Sequence, residues 1–182
     1  MSLPARGHSE RPMTDEELAL AHLAGDRDAF RELVLRYQSP IVTLLYRYTR
    51  DQGIAEDLGQ ESFLRFYRAL PRVNLNQPLR PYLYRIAVNA ARDWARRSQS
   101  NEITLDDDAD RAVEPSQNIE ERLSLEDAVM RLPMIYRESV TLHYHMGLGY
   151  GEIAQMLEVS EETVRTRLRR ALAQLRQLMN EK

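Results

Sequence analysis

Apolar residues in this chain recur at three- and four-residue intervals nearly from end to end, and nowhere alternate over the length of a strand. That spacing lines side chains along one face of a helix, so the chain is limited to helix-on-helix packing, an all-α fold. Thr14-Asp15-Glu16-Glu17 has the order of a capping box, opening a helix that carries Leu18. Gly25 closes it, and Asp26 caps a second helix with Ala29, Phe30, Leu33, Val34 and Tyr37. Ser39-Pro40 reads as a further start, because proline suits a first turn, and it predicts a third helix with Ile41, Leu44, Leu45 and Tyr48. Asp51 to Gly53 breaks that helix, and a long one is expected over residues 55–70 with Leu58, Phe63, Phe66 and Tyr67. Asn74, Asn76, Pro78 and Pro81 predict a loop over residues 71–81, followed by helix over 82–97. Three or four shorter helices follow, with breaks at Pro133, at Met146-Gly147-Leu148-Gly149 and at Glu158-Val159-Ser160.

Charge divides the chain further. Between residues 101 and 121 eight acids stand against Arg111 alone, a segment charge of −7 in a chain of −3, leaving +4 for the rest. Residues 84–98 hold Arg85, Arg92, Arg96 and Arg97 against Asp93, and residues 161–176 hold five arginines against Glu161 and Glu162. Each stretch is net +3. Local field rather than net charge governs attraction to phosphate, so two basic segments around an acidic tether suggest two polyanion contacts. The division expected is a polar tail over residues 1–13, a helical domain over 14–98, a flexible acidic linker over 99–117 containing Pro115, and a smaller helical domain over 118–182.

Several function classes fall away. The absence of cysteine excludes disulfides, thiolate catalysis and cysteine-ligated zinc or iron–sulfur centres. No apolar run approaches the ~18 residues of a membrane span. The polar residues 1–13 lack a secretory signal's apolar stretch, which predicts a cytoplasmic chain. Asp106, Asp107, Asp108 and Asp110 could be read as metal ligands of an enzyme, but a linker supplies no rigid shell. His143 and His145 lie two apart and face different ways, as packing and surface residues. No metal or cofactor is expected.

Three constellations remain. Ile153, Ala154 and Leu157 give a short helix one apolar face, and Glu158-Val159-Ser160 makes a tight turn. Val159 is placed to plug the angle, and Ser160 to cap the next helix. At about 100° per residue, Val164, Leu168, Ala171 and Leu175 share one side, opposite Glu162, Arg165, Thr166, Arg169 and Arg176. A helix–turn–helix needs this arrangement of packed inner face and polar outer face, the outer face entering a major groove. Asp57, Gln60 and Glu61 fall at i, i+3 and i+4, hence on one helix face. That face suits a solvated surface, a metal or a basic partner. In the helix after Pro81, Leu83, Ile86, Ala87 and Ala90 form a buried stripe that leaves Tyr82, Arg85, Asn89, Arg92, Arg96 and Arg97 outward. Aromatics stack on unpaired bases while arginines hold phosphates, a composition suited to melted DNA. Tyr84 reads as a core residue, and Trp94 reads equally as core or as a base-stacking aromatic.

Together these residues resemble the bacterial RNA polymerase sigma factors, specifically the extracytoplasmic-function group. Ala55 through Phe63, Tyr82 through Arg97, and Leu132-Pro133 through Arg176 around Tyr150-Gly151-Glu152-Ile153-Ala154 carry the match, over about residues 14–98 and 118–180. The resemblance implies that Asp57, Gln60 and Glu61 dock on the clamp helices of the polymerase β′ subunit. It implies that Asn74, Asn76, Arg80, Tyr82, Arg85, Asn89, Arg92 and Arg96 read and melt the downstream (minus-ten) promoter box by capturing a flipped base. Ser160, Glu162, Thr163, Arg165, Thr166 and Arg169 would read the upstream (minus-thirty-five) box, with the C-terminal domain against the β flap. The acidic linker would thread channels that otherwise hold RNA. An anti-sigma protein is an implied partner, and no catalysis is implied. Tyr82 stands where the family usually has tryptophan. Gly59, Gly149 and Gly151 should each weaken their helices by about 1 kcal/mol unless they cap. The competing reading is a stand-alone helix–turn–helix repressor or activator with a ligand-sensing N-terminal half.

Overall fold

The computed structural model describes residues 11–101 and 124–180. Every element among them is helical. Four helices form the first domain: α1 (Asp15–Leu23), α2 (Arg27–Thr49), α3 (Gln52–Ala69) and α4 (Leu79–Asn101), with a 3-10 turn at Leu70–Arg72. The second holds α5 (Leu125–Arg131), α6 (Met134–Val140) running into a π-helical turn at Thr141–His145, α7 (Tyr150–Leu157) and α8 (Glu161–Asn180).

The start of α1 follows its residues. Thr14 accepts from the Glu17 N–H, and Glu17 accepts in return from the Thr14 N–H. The Arg11 guanidinium and that capping bond hold the Glu17 carboxyl down at about 2. Asp26 and Asp51 cap α2 and α3 in the same way, accepting from the N–H groups of Asp28 and Ile54.

Pro40 does not begin a helix. It lies inside α2, which runs unbroken for 23 residues. A proline in a helix interior costs about 3 kcal/mol through its missing N–H and its ring. Leu33, Tyr37, Ile41, Leu44, Leu45 and Tyr48 form one buried stripe through it. Each such side chain contributes roughly 1.5–3 kcal/mol on burial, so packing wins. Replacing Pro40 by alanine restores a backbone hydrogen bond while removing about 1 kcal/mol of unfolded-chain stiffening. The expected outcome is a gain of roughly 2 kcal/mol in denaturant unfolding; a loss would mean that the ring itself packs productively.

Two more boundaries differ from expectation. α3 begins at Gln52 rather than Ala55, because Arg50 takes a left-handed cap and Asp51 caps at once. α4 begins at Leu79, with Pro81 in its first turn, where a missing N–H costs nothing. Its far end runs through Asn101, so residues 99–101 of the expected linker are helical. The remaining linker lies outside the described residues.

In the first domain α2 packs on α1, α3 and α4 around Leu18, Leu33, Ile41, Leu45, Phe66 and Leu83. Tyr84 is also buried, and Trp94 is half-buried. Gly59 is explained by this packing: a Cβ there would lie 3.3 Å from the Val42 side chain, so the glycine lets α3 approach α2. In the second, α8 lies against α5, α6 and α7 over Leu142, Ile153, Leu157, Val164, Leu168 and Ala171.

The domains meet where α2 packs on α6 and α4 on α7. Arg47, only 2% exposed, donates to Thr141 at 3.1 Å, to both Glu126 oxygens at 2.8 and 2.9 Å, and to His145 Nε2 at 2.7 Å. A guanidinium can only donate, so that ring nitrogen is unprotonated. Arg137 is buried beneath and donates to the carbonyls of Arg47, Met130 and Leu132; burial, then the charges of Arg50 and Arg47, bring it down to about 10.

Burial and the Arg47 charge hold His145 below its ordinary 6.5, against an upward pull from Glu126. A depressed histidine contributes fully above its unfolded value and loses that contribution as pH falls toward the folded one. Stability is therefore expected to decline as pH drops below about 6.5, and His145→Gln to remove that part of the slope in thermal melts. An identical slope in the variant contradicts the assignment.

Candidate docking and nucleic-acid interface

Three polar faces stand out of this frame. On α3, Leu58 and Phe66 point into the core and so turn Asp57, Gln60 and Glu61 outward. Asp57 and Gln60 are exposed; Glu61 is half-exposed and accepts from Arg65 at 2.6 Å, one turn on. No cluster among the described residues could hold a metal ion. The face is thus a carboxylate-rich strip whose one intrahelical pair is worth only ~0.3–0.5 kcal/mol and yields readily to a partner.

The second face is built by the loop before α4. Asn74 Oδ1 accepts from the Asn76 N–H at 3.1 Å, and the Asn74 carbonyl accepts from the Gln77 N–H at 3.1 Å. This turn exposes both asparagines. The loop's far end is fixed by Glu16, which accepts from the Leu79 N–H at 3.0 Å. Sequence reasoning gave Glu16 no such part, because the bond joins residues far apart in the chain. A cavity of about 450 Å³ opens here, with Arg72, Asn74, Gln77, Tyr82 and Arg85 on its walls. The Arg85 guanidinium lies 5.2 Å from the Tyr82 ring centroid, so one arginine and one aromatic are presented together. Asn89 is exposed farther along α4, as is Arg96, which pairs with Asp93. Arg92 and Arg80 differ: they reach across to the second domain, Arg92 to Glu138 and Arg80 to the Gly147 carbonyl at 3.1 Å.

The third face is the helix–turn–helix of α7 and α8. Glu158 takes a left-handed cap at φ 57°, Val159 packs half-buried between the helices, and Ser160 accepts from the Thr163 N–H at 3.1 Å. Thr163 spends its hydroxyl on Ser160 at 2.8 Å, so these two set the helix start. Glu162, Arg165 and Arg169 are exposed, with Thr166 half-buried among them. Arg165 lies over the Tyr150 ring at 5.7 Å and near Glu161 and Glu162 at 3.7 and 3.9 Å. Gly149 caps α7, its N–H donating to Glu152 at 2.7 Å, so of the two α7 glycines only Gly151 carries the helix penalty. At Gly151 a Cβ would lie 3.0 Å from the exposed Glu161 carboxylate, a flexible side-chain end that can move aside.

The family description Sigma-70 region 2 matches residues 33–101, and Sigma-70, region 4 matches residues 122–175. The ECF RNA polymerase sigma factor SigM of Mycobacterium tuberculosis is 32% identical, over 95% of this chain and 87% of its own. The ECF RNA polymerase sigma-E factor of Haemophilus influenzae is 35% identical, over 87% of this chain and 92% of its own. The RNA polymerase sigma-H factor of Pseudomonas aeruginosa is 31% identical, over 86% and 89%. Among solved structures, CnrH bound to the cytosolic domain of CnrY superposes with a TM-score of 0.67 at 23% identity, covering 91% of this chain and 97% of that one. The sigma factor RpoE of Bartonella quintana, bound to the anti-sigma factor NepR, gives 0.66 at 19% identity, covering 84% and 98%. These two likenesses bear on the fold.

Proposed function

This chain belongs to the sigma-70 family of RNA polymerase sigma factors, in its extracytoplasmic-function group, and from that membership we propose a division of roles among its three polar faces. Sigma factors direct RNA polymerase to promoters, so the chain serves promoter-specific transcription initiation and runs no reaction of its own. The finer reading begins with Asp57, Gln60 and Glu61, which dock on the basic clamp helices of the β′ subunit.

Asn74, Asn76, Arg80, Tyr82, Arg85, Asn89, Arg92 and Arg96 take the unpaired strand of the minus-ten box. The single observation that supports this best is the cavity beside Asn74, where Tyr82 and Arg85 offer a stacking surface and a cation to one flipped base. Flipping costs a few kcal/mol of stacking, which contacts in that cavity must recover. Glu162, Arg165, Thr166 and Arg169 read the duplex of the minus-thirty-five box, with Ser160 and Thr163 fixing the helix start. The C-terminal domain rests on the β flap, an anti-sigma protein covers the chain when it is idle, and the chain works in the cytoplasm. Among the described residues no helix is long and apolar enough to cross a membrane.

Asn89→Ala tests the melting role. With a fluorescent base in the minus-ten box and polymerase present, the variant is expected to slow or reduce strand opening while duplex binding stays near normal. Unchanged opening would remove Asn89 from the role.

A further inference from the structure

Part of the strand-reading face of α4 is engaged by the second domain, which holds Arg80 and Arg92 while Asn89 and Arg96 stay exposed. Glu138, 4% exposed and on α6, accepts from Arg92 Nη2 at 3.0 and 3.2 Å and from the buried Tyr48 hydroxyl. Burial, then the Glu138 charge, pushes the Tyr48 phenol well above its ordinary value, so it stays a donor. Arg80 is held by the Gly147 carbonyl, and Tyr82 and Arg85 face Glu152, Gln155 and Met156 of α7 across a cleft of about 200 Å³. Beside this the buried Arg47 guanidinium donates to the buried Thr141 hydroxyl and to the exposed Glu126 and His145 side chains. Leaving a buried charge without its partner is costly, and here the buried members, Arg47 and Glu138, each pair across the domain boundary with a more exposed group.

We propose that Tyr48, Arg47 and Arg92 of the first domain, with Glu126, Glu138 and Thr141 of the second, form a clasp that closes the chain upon itself. In the closed state the C-terminal domain holds Arg80 and Arg92 and walls the cleft in front of Tyr82 and Arg85, and so competes with single-stranded promoter DNA for this face. This rests on the strand-reading role given to those residues above. The physical motive is charge: the buried Glu138 carboxylate meets the partly exposed Arg92 guanidinium as a phosphate would. Engagement of the strand must expel Glu138, leaving it paired only with Tyr48, so opening and strand binding are linked and each favours the other.

The chain has no cysteine, so Gln38→Cys and Gln177→Cys give a unique pair of labels, both on exposed positions of α2 and α8. Energy transfer between them reads the closed state in the full chain. Glu126→Gln/Glu138→Gln keeps shape and removes the clasp's carboxylate charge. Tyr48→Phe/Thr141→Val weakens the same clasp with no change of charge, and so separates opening from bulk electrostatics. Both variants are expected to lower transfer and to bind a labelled random-sequence single-stranded oligonucleotide more tightly, without polymerase. If about nine molecules in ten are closed, the gain is about tenfold. Unchanged transfer in both variants overturns the clasp. Lower transfer without tighter strand binding, or tighter binding in the charge variant alone, overturns the competition. Loss of promoter-dependent transcription by the wild-type chain, in contrast, strikes the underlying reading and leaves the transfer result standing.

Discussion

Reversing the charge at Asp57 and Glu61 (Asp57→Arg/Glu61→Arg) is expected to abolish retention of the chain on core RNA polymerase while its melting temperature stays nearly constant. The fold should not notice, because Asp57 is exposed and Glu61 makes only the Arg65 pair along its own helix. Losing that pair costs ~0.5 kcal/mol or less. The interface should notice strongly: an acidic strip that meets a basic surface becomes a basic strip. Truncating one partner of a buried charged pair costs about 2–5 kcal/mol, and reversal adds repulsion. A loss of at least about thirtyfold in affinity follows for each well-placed carboxylate. Pull-down on core polymerase checks this, with circular dichroism melts as the control for folding. Retained affinity with an intact fold would reject α3 as the docking helix.

The second large effect lies on α8. Arg165→Ala and Arg169→Ala are each expected to weaken promoter engagement by about 1–3 kcal/mol, the range for a bidentate base contact. Both side chains are exposed, and the Glu161 and Glu162 carboxylates near Arg165 stand 3.7 and 3.9 Å away, too loose to hold it against a base. Val164, Leu168 and Ala171 keep the helix in place whichever arginine is removed. Base reading and phosphate contact give different patterns. If the arginines read bases, the loss concentrates on templates carrying the upstream box and specificity relaxes at one position each. If they hold phosphates, binding weakens evenly across sequences and the salt dependence falls. Normal transcription by both variants would show that another face of the domain reads DNA.

The helical class, the tight turn of the helix–turn–helix and most caps were legible in the sequence because each rests on contacts within about four residues. Ser160 capping α8 and Val164, Leu168, Ala171 and Leu175 facing inward are of this kind. Pro40 was misread because proline gives the same local signal in a first turn as in a helix interior. Only the packing of Ile41, Leu44 and Leu45 on other helices decides between them. Pro81 shows the converse, a first-turn proline taken as loop because Pro78 and the asparagines precede it.

The same limit applies to the polar residues. Asp57, Gln60 and Glu61 shared a face by spacing alone, and the structure keeps them together. Arg47, Arg137 and Glu138 carried no signal, since locally they look like ordinary charges on helix surfaces. The side-chain partners of Arg47 and Glu138 lie 46 to 98 residues away along the chain, as in Arg92–Glu138 and Arg47–His145. Burial of a charge is a tertiary event, and a single sequence marks it poorly.

Run-off transcription bears most directly on the central claim that this polypeptide confers promoter choice on the polymerase. Core enzyme would be given a library of genomic templates with and without the chain, and the start sites mapped. New start sites should emerge only when the chain is added, each preceded by a shared pair of upstream boxes. Start sites and yields that are the same in its presence and absence would contradict the claim outright.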